Sequence, residues 1–413
     1  MRDAVPSIAR LPGVLVPISL LADKKLGGQR QSDCLVGDLI IRDGRVVGLE
    51  PASASPTCLV LPKFSEPHVH LDKCHTIDRM DGVGGGLAEA IEAQALDREN
   101  WTEADIRARA GRGLQELLNA GCATIRTHVD WGTPTDPAAT PLAWGIIGEL
   151  AEDLPDGIVM QRAALTDVAR MTEDDYAALC ARQVSQANAV LGAFVLDQPN
   201  RREGILSTFR IAEKIDAALD FHVDEGLESG LGGLEVIADA ALETGFQGPV
   251  LCGHACSLMN FEDPDVQRIA DKLARAEISV AALPATNLYL QGRSDGTPDR
   301  RGITRIRELQ DAGVNVVLGA DNVRDAFCPL GSHNPLATLS LAALAAHLDP
   351  PFGSHLPMIT TSARRALGLA PVTVDGAAIG DLQLFDAPSV TAILGNGSSP
   401  RPLAVALQGE QKW

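Results

Sequence analysis

Eight short apolar segments alternate with segments of helical spacing across the middle of this 413-residue chain. Each has the length and composition typical of a buried β-strand. Eight strand-helix repeats over ~270 residues predict a (β/α)8 TIM barrel, an α/β fold that builds its active site at the carboxyl ends of its strands. The predicted strands are residues 58–63, 123–127, 158–163, 189–195, 218–223, 250–253, 278–283 and 314–319.

The alternative to a barrel is a doubly wound open sheet, which normally carries a phosphate-binding loop after its first strand. The glycine-rich run Gly82–Gly86 does not have the Gly-x-Gly-x-x-Gly spacing, because Leu87 occupies the last position. We therefore interpret it as a flexible loop, and the barrel is favoured.

Both chain ends are rich in short strand-like segments. Asp43-Gly44 lies between two apolar runs, which is a strong hairpin signal. These patterns predict a small flanking β-sandwich made from both ends: residues 1–60, then the catalytic barrel over 61–370, then the second part of the sandwich over 371–413.

Composition limits the classes of partner. A net charge of −19 with no basic run argues against nucleic acid, since phosphates would be repelled. No segment approaches the ~20 apolar residues of a membrane span, and the amino terminus does not resemble a secretion signal. We expect a cytoplasmic protein with a small-molecule substrate; a homo-oligomer is compatible with the sequence.

Histidines recur where the predicted strands end. His68 and His70 follow the first apolar segment, and side chains two apart on an extended strand share a face, so both imidazoles can reach one metal ion. Two hydrogen-bonded surface histidines are the structural alternative for this pair. Further candidates follow later strands: His128, His222, His254 and Asp321.

The ordered set of motifs resembles the amidohydrolase superfamily, and within it the cytosine deaminase-like branch. The similar stretches are residues 68–76, 125–130, 222–225, 287–293, 300–305, 319–325 and 329–331. The resemblance covers most of the chain. It implies a hydrolase that acts on carbon–nitrogen bonds other than peptide bonds.

By this resemblance His68, His70, His222 and Asp321 are the metal ligands. Three imidazoles and a carboxylate suit one divalent ion, zinc or ferrous iron. Such an ion lowers the pKa of a bound water, and Asp321 would accept the proton of that water. Relatives with two metals use a bridging carboxylated lysine or glutamate, for which no suitable residue stands here, so a single metal is predicted.

The resemblance also implies catalytic roles for Glu225 and His254. Glu225 would carry protons to a ring nitrogen and to departing ammonia, and His254 would stabilise developing negative charge. A solvated Asp224–Glu225 pair and a structural His254 are the alternatives. His128 is expected to support the ligands from behind.

Substrate recognition departs from the family pattern. Asp167 stands where cytosine deaminases have a glutamine, and an ionised carboxylate only accepts hydrogen bonds whereas an amide also donates. This disfavours cytosine and favours a ring edge rich in N–H donors. Gln291 and Phe327 are further candidates for contact with a planar ring, and each could instead be a packing residue.

The sequence thus predicts a metal-dependent deaminase of a small nitrogen heterocycle. The first alternative is an alkylaminotriazine amidohydrolase, similar to the N-isopropylammelide-hydrolysing enzymes, which releases an alkylamine. The second is a catalytically inactive barrel that only binds a heterocycle.

Overall fold

The computed structural model describes residues 8–22, 26–131, 139–396 and 398–409. The strands within this part are β1 Ile8–Pro17, β2 Gln29–Gln31, β3 Cys34–Arg42, β4 Arg45–Glu50, β5 Cys58–Pro62, β6 Phe64–Val69, β7 Cys122–Asp130, β8 Val159–Asp167, β9 Val190–Val195, β10 Leu219–Val223, β11 Val250–His254, β12 Ser279–Ala282, β13 Asn315–Leu318, β14 Leu382–Phe385 and β15 Arg401–Pro402.

The α-helices are α1 Leu87–Asp97, α2 Glu103–Asn119, α3 Leu142–Glu152, α4 Asp174–Gln186, α5 Arg201–Ile215, α6 Gly233–Thr244, α7 Asp263–Arg275, α8 Pro284–Leu290, α9 Ile306–Asp311, α10 Pro335–Ala345, α11 Thr361–Ala366, α12 Val390–Asn396 and α13 Leu403–Gly409. Short 3-10 helices span Ile18–Leu20, Ile77–Arg79, Arg98–Asn100, Val168–Thr172, Cys256–Asn260, Phe352–Ile359 and Ile379–Asp381. Among the described helices, none has the length and apolar character needed to cross a bilayer.

Strands β6 to β13 form one parallel sheet in chain order. A parallel bridge between Val69 and Asp321 brings the loop after β13 back to the end of β6. Apart from the first half of β8, the strands are almost fully buried on both faces, as expected when helices cover the outside of a barrel and side chains fill its interior. The predicted (β/α)8 barrel is confirmed.

The first barrel strand was wrongly placed by the sequence pattern. The apolar segment 58–63 is not part of the barrel, because β5 pairs with β1 and β14 in the flanking sheet. The barrel begins with β6, which carries the buried polar residues Ser65, Glu66 and His68. Apolar composition identifies a buried strand but cannot say which of two sheets it joins.

The flanking module is a seven-stranded mixed sheet in the order β15-β14-β5-β1-β3-β2, with β4 paired to β3. It contains strands from both ends of the chain, as the sequence indicates. The Asp43-Gly44 turn joins β3 to β4, and both residues have positive φ. The boundaries near residues 60 and 370 stay a prediction, and the outermost residues 1–7 and 410–413 lie outside the described part.

A buried carboxylate ties β1 to β3 and to the loop between β4 and β5 within the flanking sheet. Asp38 on β3 is fully buried and accepts backbone hydrogen bonds from Gly13 at 2.9 Å and Ser53 at 3.0 Å. The Arg10 guanidinium also donates to Asp38, at 2.8 Å. These hydrogen bonds hold the pKa of Asp38 well below its usual range.

We expect Asp38→Ala to lower the free energy of unfolding by about 1–3 kcal/mol, because it leaves the buried N–H of Gly13 and the part-buried N–H of Ser53 without an acceptor. Urea denaturation of purified protein measures the change. Glu50→Gln is the matched control, since Glu50 also faces Arg10 but its side chain is half exposed. Equal stability of the Asp38 variant and the wild type would contradict this role.

Candidate active site

Three histidines converge at the carboxyl ends of the first and fifth barrel strands. His68 lies on β6, His70 follows it directly, and His222 lies on β10. The Nε2 atom of His222 is 3.0 Å from the Nε2 atoms of both His68 and His70. All three side chains are buried, so the strand alternation predicted for the first pair brings both rings to the same point.

Asp321 completes this group from the loop after β13. Its Oδ1 atom is 3.4 Å from Nε2 of His68 and 3.3 Å from Nε2 of His70. Asp321 is fully buried with φ of 60°, a left-handed conformation that is strained for a residue with a side chain. The fold thus holds a carboxylate against three imidazoles at a cost in backbone energy.

These four residues fit a divalent metal ion. Both carboxylate oxygens of Asp321 are buried with no hydrogen-bond partner in the described part of the chain. Ligand atoms held by bonds of about 2.0–2.2 Å in a tetrahedron lie roughly 3.3 Å apart, close to the separations seen here. A cation between them would satisfy the carboxylate and the crowded nitrogens together.

The protonation states suit ligation. Burial lowers the pKa of His68 to about 4 and holds the pKa of His70 and that of His222 well below the ordinary value. Burial alone would raise the pKa of Asp321, but the neighbouring imidazoles overcome this and hold it well below its usual range. Neutral imidazoles and an ionised carboxylate are the forms that bind metal.

Glu225 and His254 face the same point from the ends of β10 and β11. Oε2 of Glu225 is 3.5 Å from Nε2 of His254. Burial raises the pKa of Glu225 to about 7. Oε1 of Glu225 and Nε2 of His254 have no hydrogen-bond partner among the described residues, which leaves both available to a ligand. A carboxyl group that titrates near neutrality can both take and give a proton.

The neighbours of these two residues fix their positions. Asp224 accepts hydrogen bonds from the backbone N–H groups of Gly232, Gly233 and Leu234 at the start of α6. It therefore anchors the loop that carries Glu225 and is not a solvated partner of it. Nδ1 of His254 lies 3.1 Å from Oδ1 of Asn287, which orients the imidazole.

His128 lies behind the three ligands. Its ring centroid is 4.1 Å from that of His68, and its Nε2 atom is 3.0 Å from Oδ1 of Asp220. The other oxygen of Asp220 accepts a hydrogen bond of 2.8 Å from Arg126, which is fully buried inside the barrel. This charged network supports the imidazoles from below, the position expected for His128.

A cavity of about 450 Å³ opens beside this cluster. It is lined by Asp167 and Phe327, as the sequence predicts for substrate contacts, and by Glu225 and His254. Asp167 accepts a hydrogen bond from the backbone of Ala169 at 2.9 Å, which fixes its carboxylate at the wall. Apolar side chains form much of the remaining surface: Leu87, Ile91, Ala95, Leu165, Phe194 and Leu196.

Gln291 is placed differently from Asp167 and Phe327. It does not line the cavity, and its side-chain amide donates to the backbone carbonyl of Glu225 at 3.3 Å. In this position it supports the Glu225 loop. A contact with substrate stays a prediction that this arrangement does not favour.

Sequence reasoning gave no role to several polar residues on the cavity wall. Lys73 is buried, with Nζ 4.6 Å from the ring centroid of Phe327 and 3.8 Å from Oδ2 of Asp130. Arg98 also pairs with Asp130, and Asn322 follows Asp321. The one signal for Lys73 in the sequence is its place three residues after His70, close to the His-x-His motif. Lysine is almost never buried without a partner, so its burial here indicates a role at the site.

Comparison with known proteins agrees with this geometry. The chain is 32% identical over 388 residues to the pterin deaminase of Rhizobium rhizogenes strain K84. The aligned region covers 91% of this chain and 87% of that protein. The sequence profile of the amidohydrolase family matches residues 194–383. The chain belongs to the amidohydrolase superfamily.

Other members resemble this amidohydrolase more distantly. It is 23% identical over 351 residues to the N-isopropylammelide isopropyl amidohydrolase of Pseudomonas sp. strain ADP, covering 81% of this chain and 82% of that protein. The crystal structure of 5-methylcytosine deaminase from Klebsiella pneumoniae with 5-fluorocytosine superposes with a TM-score of 0.79, at 23% identity and 96% coverage of both chains. That superposition confirms the fold.

If these residues hold the metal, we expect His222→Ala to remove most of it, because Nε2 of His222 lies 3.0 Å from Nε2 of both His68 and His70. His128→Ala should weaken metal binding only about tenfold to a hundredfold, as is typical of residues that support ligands. Elemental analysis after dialysis against graded chelator measures both. His355→Ala, at a partly exposed histidine outside both histidine clusters, is the control. Equal loss from all three variants would contradict the assignment.

Proposed function

We propose that this amidohydrolase is a hydrolytic deaminase with one catalytic zinc or ferrous ion, and that its substrate is a pterin-like ring bearing an amino group. The observation that carries the proposal is the carboxyl group of Glu225, held beside His254 and the ligand cluster and facing the cavity. The 32% identity to a pterin deaminase supports the choice of ring.

The reaction follows from the groups around the ligand cluster. A divalent ion held by His68, His70, His222 and Asp321 would lower the pKa of a water from ~15.7 toward ~7–9. Asp321 is ionised and accepts a proton from the attacking water. A carbon–oxygen bond then forms at the ring carbon that bears the amino group.

Glu225 carries the remaining proton transfers of the proposed reaction. Its carboxyl group donates a proton to the ring nitrogen adjacent to the attacked carbon, so that negative charge does not accumulate on the ring. Glu225 then takes the proton of the added hydroxyl group and passes it to the amino group, the carbon–nitrogen bond breaks, and ammonia leaves. The proton held by Asp321 returns to Glu225 and restores the starting state. The product is the corresponding oxo compound. His254 stabilises the charge that develops on the attacking oxygen.

The cavity supports a planar, bicyclic substrate. Phe194 and Phe327 line it together with aliphatic side chains, and its volume of about 450 Å³ lies in the usual range for small-molecule sites. Asp167 can accept a hydrogen bond from a ring N–H, and Lys73 can donate one to a ring carbonyl oxygen. A pterin offers both, since its 4-oxo group adjoins an N–H.

We expect Glu225→Gln to lower kcat for ammonia release by about 10²–10⁴-fold, because the amide cannot transfer the proton. Bound metal should stay at the wild-type level, because Glu225 is not a ligand. Glu228→Gln, on the exposed part of the same loop, is the matched control. Wild-type rates in the Glu225 variant would overturn the proton-transfer role.

Substrate choice is tested by Asp167→Gln. We expect it to lower kcat/KM for pterin relative to cytosine by about tenfold to a hundredfold, because the carboxylate that accepts the ring N–H is replaced by an amide. Parallel assays of ammonia and of isopropylamine release, with pterin, cytosine and N-isopropylammelide, measure the preference. Release of isopropylamine without ammonia would support the triazine alternative instead.

A further inference from the structure

A second cluster of side chains of the types that can bind a metal lies outside the catalytic cavity. His75 follows the first barrel strand, Glu116 lies on α2, and His333 precedes α10. One ligand atom from each lies within 4.8 Å of the other two. None of the three lines the cavity, so the cluster is separate from the catalytic site.

The two oxygens of Glu116 have different neighbours. Oε2 is 2.9 Å from Nδ1 of His333 and 3.3 Å from Nε2 of His75. Oε1 faces Nε of Arg112 at 3.3 Å and Nη1 of Arg324 at 3.6 Å. The arginines thus hold one oxygen and orient the carboxylate, while the other oxygen meets both imidazoles, an arrangement typical of carboxylate ligands.

The hydrogen bonds of this cluster leave most of its ring nitrogens unused. Both nitrogens of His75 and Nε2 of His333 have no hydrogen-bond partner in the described part of the chain. The His75 side chain is 3% exposed and that of His333 is fully buried. Nε2 of His75, which faces Oε2 of Glu116 at 3.3 Å, is among these unpartnered atoms, so a simple His–Glu hydrogen bond does not account for the arrangement.

We propose that His75, Glu116 and His333 form a second transition-metal site, with zinc as the ion that fits best. Two imidazoles and one carboxylate are a known ligand set for zinc, and tetrahedral ligand atoms lie roughly 3.3 Å apart. The separations of 2.9 and 3.3 Å to Oε2 agree with this. The Glu116 side chain is 32% exposed, so water can fill the fourth position.

A metal ion at this site would strengthen the junction between the segments that follow the first and last barrel strands. His75 donates its backbone N–H to the carbonyl of Val323 at 3.1 Å, and Ile77 donates to that of Arg324 at 3.0 Å. A bound ion would add helix α2 to this junction between the first and last strands. The two arginines oppose a dication, so this site is the weaker of the two and fills after the catalytic one.

The test is a zinc titration of the metal-loaded enzyme. Wild-type protein should bind one equivalent beyond the catalytic ion, and its Tm should rise as this equivalent binds. Glu116→Gln keeps the size of the side chain and should weaken the extra site at least tenfold. His333→Asn is the second variant. Glu103→Gln, on the exposed face of the same helix, and His355→Asn are controls that should bind zinc as the wild type does.

Cobalt gives a direct readout of the ligands. Loading the second equivalent with Co²⁺ should produce the visible absorption of a tetrahedral site in wild type but not in Glu116→Gln. Anomalous scattering from a zinc-soaked crystal should show a peak between the three side chains. No second equivalent in wild type, or an unchanged second equivalent in both variants, would overturn the proposal, whatever ring the enzyme deaminates.

Discussion

The catalytic geometry depends on one junction, where the first and last barrel strands meet. The backbone N–H of Asp321 donates to the carbonyl of His68 at 2.8 Å, and the N–H of His70 donates to the carbonyl of Asp321 at 3.3 Å. These two hydrogen bonds bring a carboxylate from one end of the barrel sequence to two imidazoles from the other. The ligand cluster is therefore a consequence of barrel closure.

Buried polar groups and glycines maintain this junction. Glu66 on β6 accepts hydrogen bonds from the backbone N–H groups of His68 at 3.0 Å and Ala320 at 3.2 Å, so one carboxyl group ties both strands. Glycine is required beside the imidazole, because a Cβ atom at Gly253 would lie 2.8 Å from Cε1 of His68 and one at Gly319 would lie 2.9 Å from its Cβ. The backbone approaches His68 closely at both positions, at its ring for Gly253 and at its Cβ atom and carbonyl for Gly319, which explains both glycines.

The sequence predicted the barrel and the convergence of His68, His222 and Asp321 because strand periodicity and motif order are local properties of the chain. It assigned the first strand to segment 58–63 because composition does not reveal sheet membership. It could not show that Gln291 turns to the Glu225 backbone, or that the charge of Lys73 reaches the cavity. Side-chain direction in loops depends on tertiary contacts that no spacing encodes.

Charge balance at the cavity argues for a neutral ring with both a donor and an acceptor. Lys73 and Arg98 both contact Asp130, so the carboxylate partly neutralises the positive charge at the cavity wall. An anionic substrate would gain little from this charge. Asp167 and Glu225 would repel an anion further. A cationic ring would instead be repelled by the divalent ion that we propose for the ligand cluster. In the proposed function, a neutral lactam lying against Phe327 would meet the lysine with its oxygen and the aspartate with its N–H, and its amino-bearing carbon would then face the ligand cluster.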